Sequence, residues 1–338
     1  MTEIRKITEW QHVDSDTFHG EIVPRNQPAV IRSLVSDWPA VQHCKDSGTA
    51  TCEYLSNLDK GVSVYTIAAP SEAKGRFFYS ADLRGVNFNR GQIPLAQVLQ
   101  QLNNQQGQPQ AHAISIQSLP VRESLPGFES ENRAQLLDPD VAPTMWIGTA
   151  GKVAPHYDVH KNLACVVAGR RQFTLFPPEQ IANLYLGPML NAPGGVPMSL
   201  VDIWNPDHDH FPRYKNAQAE AMQATLGPGD AIYIPSLWWH AVAALESINV
   251  LVNYWWGGIG DSGVSPNDSL LHALLTIPGL DATQRQAWRS FFDYLVFRIE
   301  QDPAADLPDG LEDILTSLNQ EQARVVRELL ATRLENNT

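Results

Sequence analysis

The sequence predicts a mainly β fold, a barrel or jelly roll, with helical additions gathered at the C-terminal end. Three observations predict it. Short β-type runs recur between about residues 110 and 257: AHAISIQSL, MWIGTA, ACVVAG, QFTLF, AIYIP and INVLVNYWW. Gly and Pro punctuate them, at Ala150-Gly151, Pro177-Pro178 and Gly227-Pro228-Gly229, and many short strands with such turns suit a barrel or jelly roll. After about residue 260 the apolar spacing becomes helical.

The elements follow in order. Residues 1–110 read as a mixed α/β segment, with a strand at Ala29–Ile31 after Gln27-Pro28 and a helix over 95–105, where Leu95, Val98 and Leu102 share a face. The barrel core occupies about 110–257, so that 1–260 forms one catalytic-sized domain. Residues 261–338 form a helical region. Asp268 and Ser269 are capping candidates for a helix over 268–276. A second helix, 281–300, places Trp288, Phe292, Leu295 and Ile299 on one stripe. A third, 320–334, carries Val325, Val326, Leu329 and Leu330. Amphipathic stripes must be buried somewhere, either against the barrel of the same chain or, as expected here, in a two-fold interface with a second copy of the chain.

Composition excludes several classes. Hydrophobic residues make up 43% of the 338 and charged residues 18%, enough apolar material for a sizeable core. The net charge of −13 argues against a nucleic-acid backbone as the main partner. Cys44, Cys52 and Cys165 show neither a CxxC pair nor framework spacing, which fits a reducing compartment. MTEIRKITEW has no apolar signal core, and no apolar run reaches membrane-spanning length. A cytoplasmic location is expected.

The chemistry centres on APHYDVHKN and GPGDAIYIPSLWWHAV. On a strand, residues i and i+2 share a face, so His156 and Asp158 are expected to point together into the barrel, with Tyr157 turned away. His240, after the Gly-Pro-Gly turn and the strand Ala231–Ile234, supplies a third ligand. Two imidazoles and one carboxylate on one face of a metal suit Fe(II) and leave positions open for a co-substrate and dioxygen. Catalytic zinc takes three protein ligands plus water and competes for the same reading. His160 sits in a polar run that reads as a turn, and His208 and His210 in a polar loop.

GRRQFTLFPP puts Arg171, Phe173 and Leu175 on an apolar face, with Arg170, Gln172 and Thr174 on a face expected to be solvated. A buried cation needs a partner, either an Asp or Glu of the same chain or the distal carboxylate of a 2-oxo acid gripped by the guanidinium. On the last strand Asn249, Leu251, Asn253 and Trp255 share a face. Asn253, Trp255 and Asn162 are candidates for the pocket wall, where a buried amide must be hydrogen-bonded.

Taken together, HYDVHKNLACVVAGRRQFTLFPPEQIANLY, GPGDAIYIPSLWWHAV and VLVNYWW resemble the JmjC-type (cupin-8-like) Fe(II)/2-oxoglutarate oxygenases, and within them the factor-inhibiting-HIF group of asparaginyl hydroxylases. The resemblance spans about residues 145–257, and QPAVIRSLVSDWPAV resembles the N-terminal segment of the same family. It implies a double-stranded β-helix (jelly-roll/cupin) core, with iron held by His156, Asp158 and His240. The co-substrates it implies are 2-oxoglutarate and dioxygen. It implies co-substrate-pocket roles for Asn162, Asn253 and Trp255, and dimerisation through C-terminal helices. Arg171 stands where that group has a lysine and Val153 where it has a threonine, and no tyrosine stands on the segment Ile114–Gln117. The expected activity is hydroxylation of a C–H bond, with N-demethylation using the same chemistry. The expected substrate is a polypeptide side chain or a small amino-acid-like molecule. The alternative is a non-oxidative metal-dependent cupin, an isomerase or small-molecule binder.

Overall fold

The computed structural model describes residues 4–108, 112–190, 192–259, 263–299, 301–308, 315–316 and 320–336. It divides into two compact units, Met1–Trp256 and Gly257–Thr338.

The first unit is built on eight strands: β1 (Pro143–Gly148), β2 (Gly151–His156), β3 (Lys161–Ala168), β4 (Arg171–Phe176), β5 (Met222–Leu226), β6 (Ala231–Ile234), β7 (Trp239–Ala244) and β8 (Asn249–Trp256). They split between two facing sheets. One has the order β6-β3-β8-β1 and the other β5-β4-β7-β2. Consecutive strands therefore cross repeatedly from sheet to sheet, which is the double-stranded β-helix of a cupin.

The β6-β3-β8-β1 sheet is extended to nine strands. Ala29–Ile31 and Thr8–Trp10 add beside β6. Ala113–Pro120, Ser63–Ala69 and Asn89–Pro94 add beside β1, leaving Asn89–Pro94 at the edge. The other sheet gains Arg5–Lys6 and Arg76–Phe77 at its two margins.

The central strand β3 shows why these residues fold this way. Its side chains alternate between two apolar environments, so KNLACVVA is apolar almost throughout. Ala164 and Val166 pack inside the barrel with Phe173, Leu175, Ile232, Ile234 and Leu251. Leu163, Cys165 and Val167 pack on the opposite face with Val252, Tyr254 and the helices Pro39–Cys44, Gly48–Leu58 and Leu95–Gln105. In the last of these helices Leu95, Val98 and Leu102 are fully buried. The turn from β3 to β4 passes through Gly169 at φ +72°, where a Cβ would collide with the side chain of Asn249. Glycine meets that conformation without steric cost.

Two expectations need correction. Asp158 is not on a strand: β2 ends at His156 and Asp158 follows in irregular backbone. Thr174 is buried rather than solvated, because β5 covers that side and Gln223 Nε2 donates to Thr174 Oγ1 at 3.0 Å.

The second unit contains helices Pro266–Thr276, Ala282–Phe291 and Gln320–Asn336. Asp281 and Gln284 close a capping box at the start of the middle helix. That helix passes into a π-helical turn at Phe292–Phe297 and ends at Arg298, where φ is +50°. The wider turn shifts the side-chain register. Ile299 therefore lies beyond the helix, and the single stripe drawn through Trp288, Phe292, Leu295 and Ile299 is broken. Taken by itself the unit leaves Leu271, Leu275, Trp288, Phe291, Val296, Phe297 and Leu329 exposed.

Candidate metal centre and adjoining pocket

His156 and His240 face each other across paired strands. β7 pairs antiparallel with β2 with His240 opposite His156, and the two ring centroids lie 4.2 Å apart. Asp158 completes the group. His240 Nε2 lies 3.7 Å from Asp158 Oδ2, and one ligand atom from each of the three residues lies within 4.8 Å of the others. Among the described residues this is the one His/Cys/Asp/Glu group so arranged. His160 lies in a bend outside it. Asp207 is committed to the backbone, its Oδ1 accepting from the N–H of Asp209 and of His210, so the Asp207–His210 segment is a closed turn.

The backbone fixes which nitrogen each imidazole offers. His156 Nδ1 lies 2.9 Å from the carbonyl of Ala154 and His240 Nδ1 lies 3.1 Å from that of Trp238. A carbonyl only accepts, so each neutral ring carries its proton on Nδ1 and turns a lone pair out on Nε2. Burial, with the His240 ring alongside, pushes His156 down to about 4, so at neutral pH it is an unprotonated ligand. Asp158 Oδ2 accepts from Trp255 Nε1 at 3.2 Å, and the carbonyl of Asp158 accepts from the N–H of Leu237 at 2.8 Å. The carboxylate that has left its strand is thus pinned from β8 and from the approach to β7. Two unprotonated imidazole nitrogens and an oriented carboxylate fit a first-row divalent ion, iron(II) or zinc.

The triad lines one wall of a cavity of about 700 Å³. Arg171, Asn162, Asn253 and Trp255 line the same cavity, so the structure brings every predicted site residue together. Register explains it. Asn162 pairs with Trp255 and Ala164 with Asn253 across β3 and β8, so the cavity-facing residues alternate down both strands. Asn253 Nδ2 donates to Asn162 Oδ1 at 2.6 Å, while Asn253 Oδ1 is buried without a partner. Arg171 makes no ion pair among the described residues, and its Nε is buried without an acceptor. Burial pulls the guanidinium down to about 10, leaving it protonated at neutral pH. Among the described residues no carboxylate of the chain pairs with it.

Sequence reasoning missed the rest of the cavity. Its outer part is lined by Tyr65, Ile67, Phe77, Phe88, Arg90 and the loop Ala192–Val196, excepting none of the residues between them. Ser115 and Gln117 also line it, Gln117 Nε2 donating to Ser115 Oγ at 2.7 Å.

Comparison with known proteins decides the family. The cupin-like domain (Cupin_8) model matches residues 15–262. This chain belongs to the cupin-like domain family. Its relatives are JmjC-type proteins. It is 27% identical to JmjC domain-containing protein D of Dictyostelium discoideum over 251 residues, 68% of this chain and 51% of the relative. It is 36% identical to lysine-specific demethylase JMJ31 of Arabidopsis thaliana over 112 residues, 33% of this chain and 20% of the relative. It is 28% identical to human bifunctional peptidase and (3S)-lysyl hydroxylase JMJD7 over 291 residues, 78% of this chain and 87% of the relative. The chain spans about half the length of the first of these and a smaller share of the second.

Proposed function

We propose that this protein is an Fe(II)- and 2-oxoglutarate-dependent dioxygenase that hydroxylates a C–H bond of a polypeptide side chain. One observation carries the reading: an unpaired cation, Arg171, lines the same cavity as a divalent-ion triad. A dicarboxylate with a 2-oxo acid at one end needs both, a metal for the chelating end and a buried guanidinium for the far carboxylate. A non-oxidative cupin would leave Arg171 unmatched, at the cost of an uncompensated buried charge.

In this reading His156, Asp158 and His240 hold iron, which with 2-oxoglutarate and dioxygen supplies the oxidising power for the C–H bond. The chain does the rest. The carbonyls of Ala154 and Trp238 hold the ring proton of each neutral imidazole on Nδ1 and so turn both Nε2 lone pairs toward the metal, and Trp255 orients Asp158. Arg171 grips the far carboxylate, while Asn162 and Asn253 line the pocket beside it. Phe173, Ile234, Val242 and Leu251 wall the cavity with apolar surface and keep water from the reacting groups. The activity in the name of JMJD7, a lysyl hydroxylase, supports a protein substrate.

We further place the protein in the cytoplasm, where Cys44, Cys52 and Cys165 stay as free buried thiols, and as a homodimer joined through the exposed apolar faces of the C-terminal unit. The test of activity is direct. Adding 2-oxoglutarate to the anaerobic Fe(II) protein should produce a weak visible charge-transfer band. A peptide library treated in air should yield products heavier by one oxygen atom, formed only with 2-oxoglutarate. Succinate release that is independent of metal, or no band at saturating co-substrate, would overturn the reading.

A further inference from the structure

We infer that the outer half of this pocket selects an acidic polypeptide segment presenting a neutral side chain for oxidation, and that Arg90 is the residue that selects it. The inference rests on the hydroxylase reading and names its substrate class. The charges lining the cavity carry it. Besides the two ligand histidines, the lining residues that are charged at neutral pH are Arg90, Arg171 and Asp158. That is two cations against one carboxylate, inside a protein of net charge −13. Asp158 is already committed to Trp255 and to the metal triad. A divalent ion and a dianionic 2-oxo acid cancel each other, so the loaded pocket keeps the same excess of one positive charge. A lysine entering it would find no carboxylate to meet.

Arg90 sits where it can read the incoming chain. It lies on the edge strand Asn89–Pro94, directly opposite Ile67, and both residues line the cavity. The strand leaves one side of its backbone unpaired among the described residues, the arrangement to which an extended peptide adds as a further strand. The Arg90 guanidinium stands 5.5 Å from the Phe88 ring centroid, and its Nη2 donates to the carbonyl of Pro193 at 3.3 Å. No acidic side chain pairs with it among the described residues. One ring of the outer wall is thus already taken by the chain's own cation, which disfavours the cage of aromatic faces that holds an alkylated ammonium group.

The test selects a randomised peptide library on the full-length protein and reads bound sequences rather than turnover. Wild type should enrich Asp and Glu over Lys and Arg by about fivefold at positions flanking a neutral central residue, the size of an exposed ion pair. Arg90→Ala should flatten that preference and Arg90→Glu should reverse it, with circular dichroism reporting that both variants are folded. A lysine-centred or charge-indifferent pool from wild type would overturn the inference, as would acidic enrichment unchanged in Arg90→Glu. Because binding is read without chemistry, failure of the selected peptides to drive 2-oxoglutarate consumption would count against the hydroxylase reading alone.

Discussion

The inner and outer ends of the cavity are built on different principles. The inner end is made by strands of the eight-stranded core, in register. His240 stands opposite His156, and Asn162 and Asn253 meet across β3 and β8. The outer end is made by additions: the strands Ser63–Ala69 and Asn89–Pro94, and the Ala192–Val196 loop. A fixed inner end serves chemistry common to a family, whereas a wall assembled from appended segments can change with the substrate. Breaking the inner end should therefore abolish reaction with every substrate, and changing the outer end should alter which substrates react.

The largest effect is expected from the triad. His240→Ala should remove detectable metal binding at micromolar Fe(II) and with it all turnover, checked by metal analysis and succinate release. Wild-type turnover in this variant would refute the assignment. The metal-free protein offers a second check. Its His156 is held down to about 4, first by burial and then by His240. An ordinary histidine titrates near 6.5, so on acidification the unfolded chain takes up this proton first. Stability of the metal-free protein should therefore fall as pH drops from about 6.5 toward 4. In His240→Ala the His156 titration followed by NMR should move upward, because one cause of its depression is gone.

Arg171 comes next. Arg171→Ala should raise the 2-oxoglutarate KM by about 30-fold, the equivalent of ~2 kcal/mol for a charge-assisted hydrogen-bonded contact. Arg171→Lys should fall between, keeping the charge without the planar fork. Unchanged co-substrate affinity together with a lower Tm would make the residue structural. A smaller effect is expected at Trp255, which touches the metal site only through Asp158. Trp255→Phe keeps the ring's bulk and loses the 3.2 Å hydrogen bond. Metal affinity should weaken by roughly tenfold, as outer-shell partners usually show, with little change in Tm. An unaltered metal affinity would mean that the contact does not orient the carboxylate.

The same contrast explains what could be read from the sequence. The cavity-facing set on β8 was legible because strand alternation is local: three alternate residues, Leu251, Asn253 and Trp255, point to a common face. His156 and Asp158 were read together by the same rule, although β2 ends at His156. A barrel or jelly roll was legible from run length and turn residues, and its cupin form from the resemblance of the motif-bearing segments to a family. Asp158 leaving its strand was not, since its support comes from Trp255, a residue 97 positions away. The outer wall was silent for a related reason. NRGQIP has little β propensity of its own and becomes a strand by pairing with Ser63–Ala69, a contact that no local pattern announces. Nothing local in the sequence therefore singles out Arg90.

The smallest effect on chemistry should come from the C-terminal unit, where the change should be in mass rather than rate. Trp288 and Phe291 lie on the helix Ala282–Phe291 at 47% and 58% exposure, and Phe297 follows at 63%. Helix Pro266–Thr276 adds Leu271 and Leu275 at 47% and 76%. So much exposed apolar side chain in one small unit is what the proposed dimer would cover, and a two-fold axis would bury matching patches on both copies. Light scattering at micromolar concentration should give twice the chain mass of 37.5 kDa. Phe291→Glu should return it to the single-chain value, since a carboxylate at an apolar interface must be desolvated without a partner. Because none of these residues lines the cavity, the 2-oxoglutarate KM should stay within about twofold, the ordinary reach of a surface substitution away from a site. A wild-type mass of one chain would remove the dimer from this picture. A KM that changed in step with the mass would mean that the second copy helps to complete the pocket.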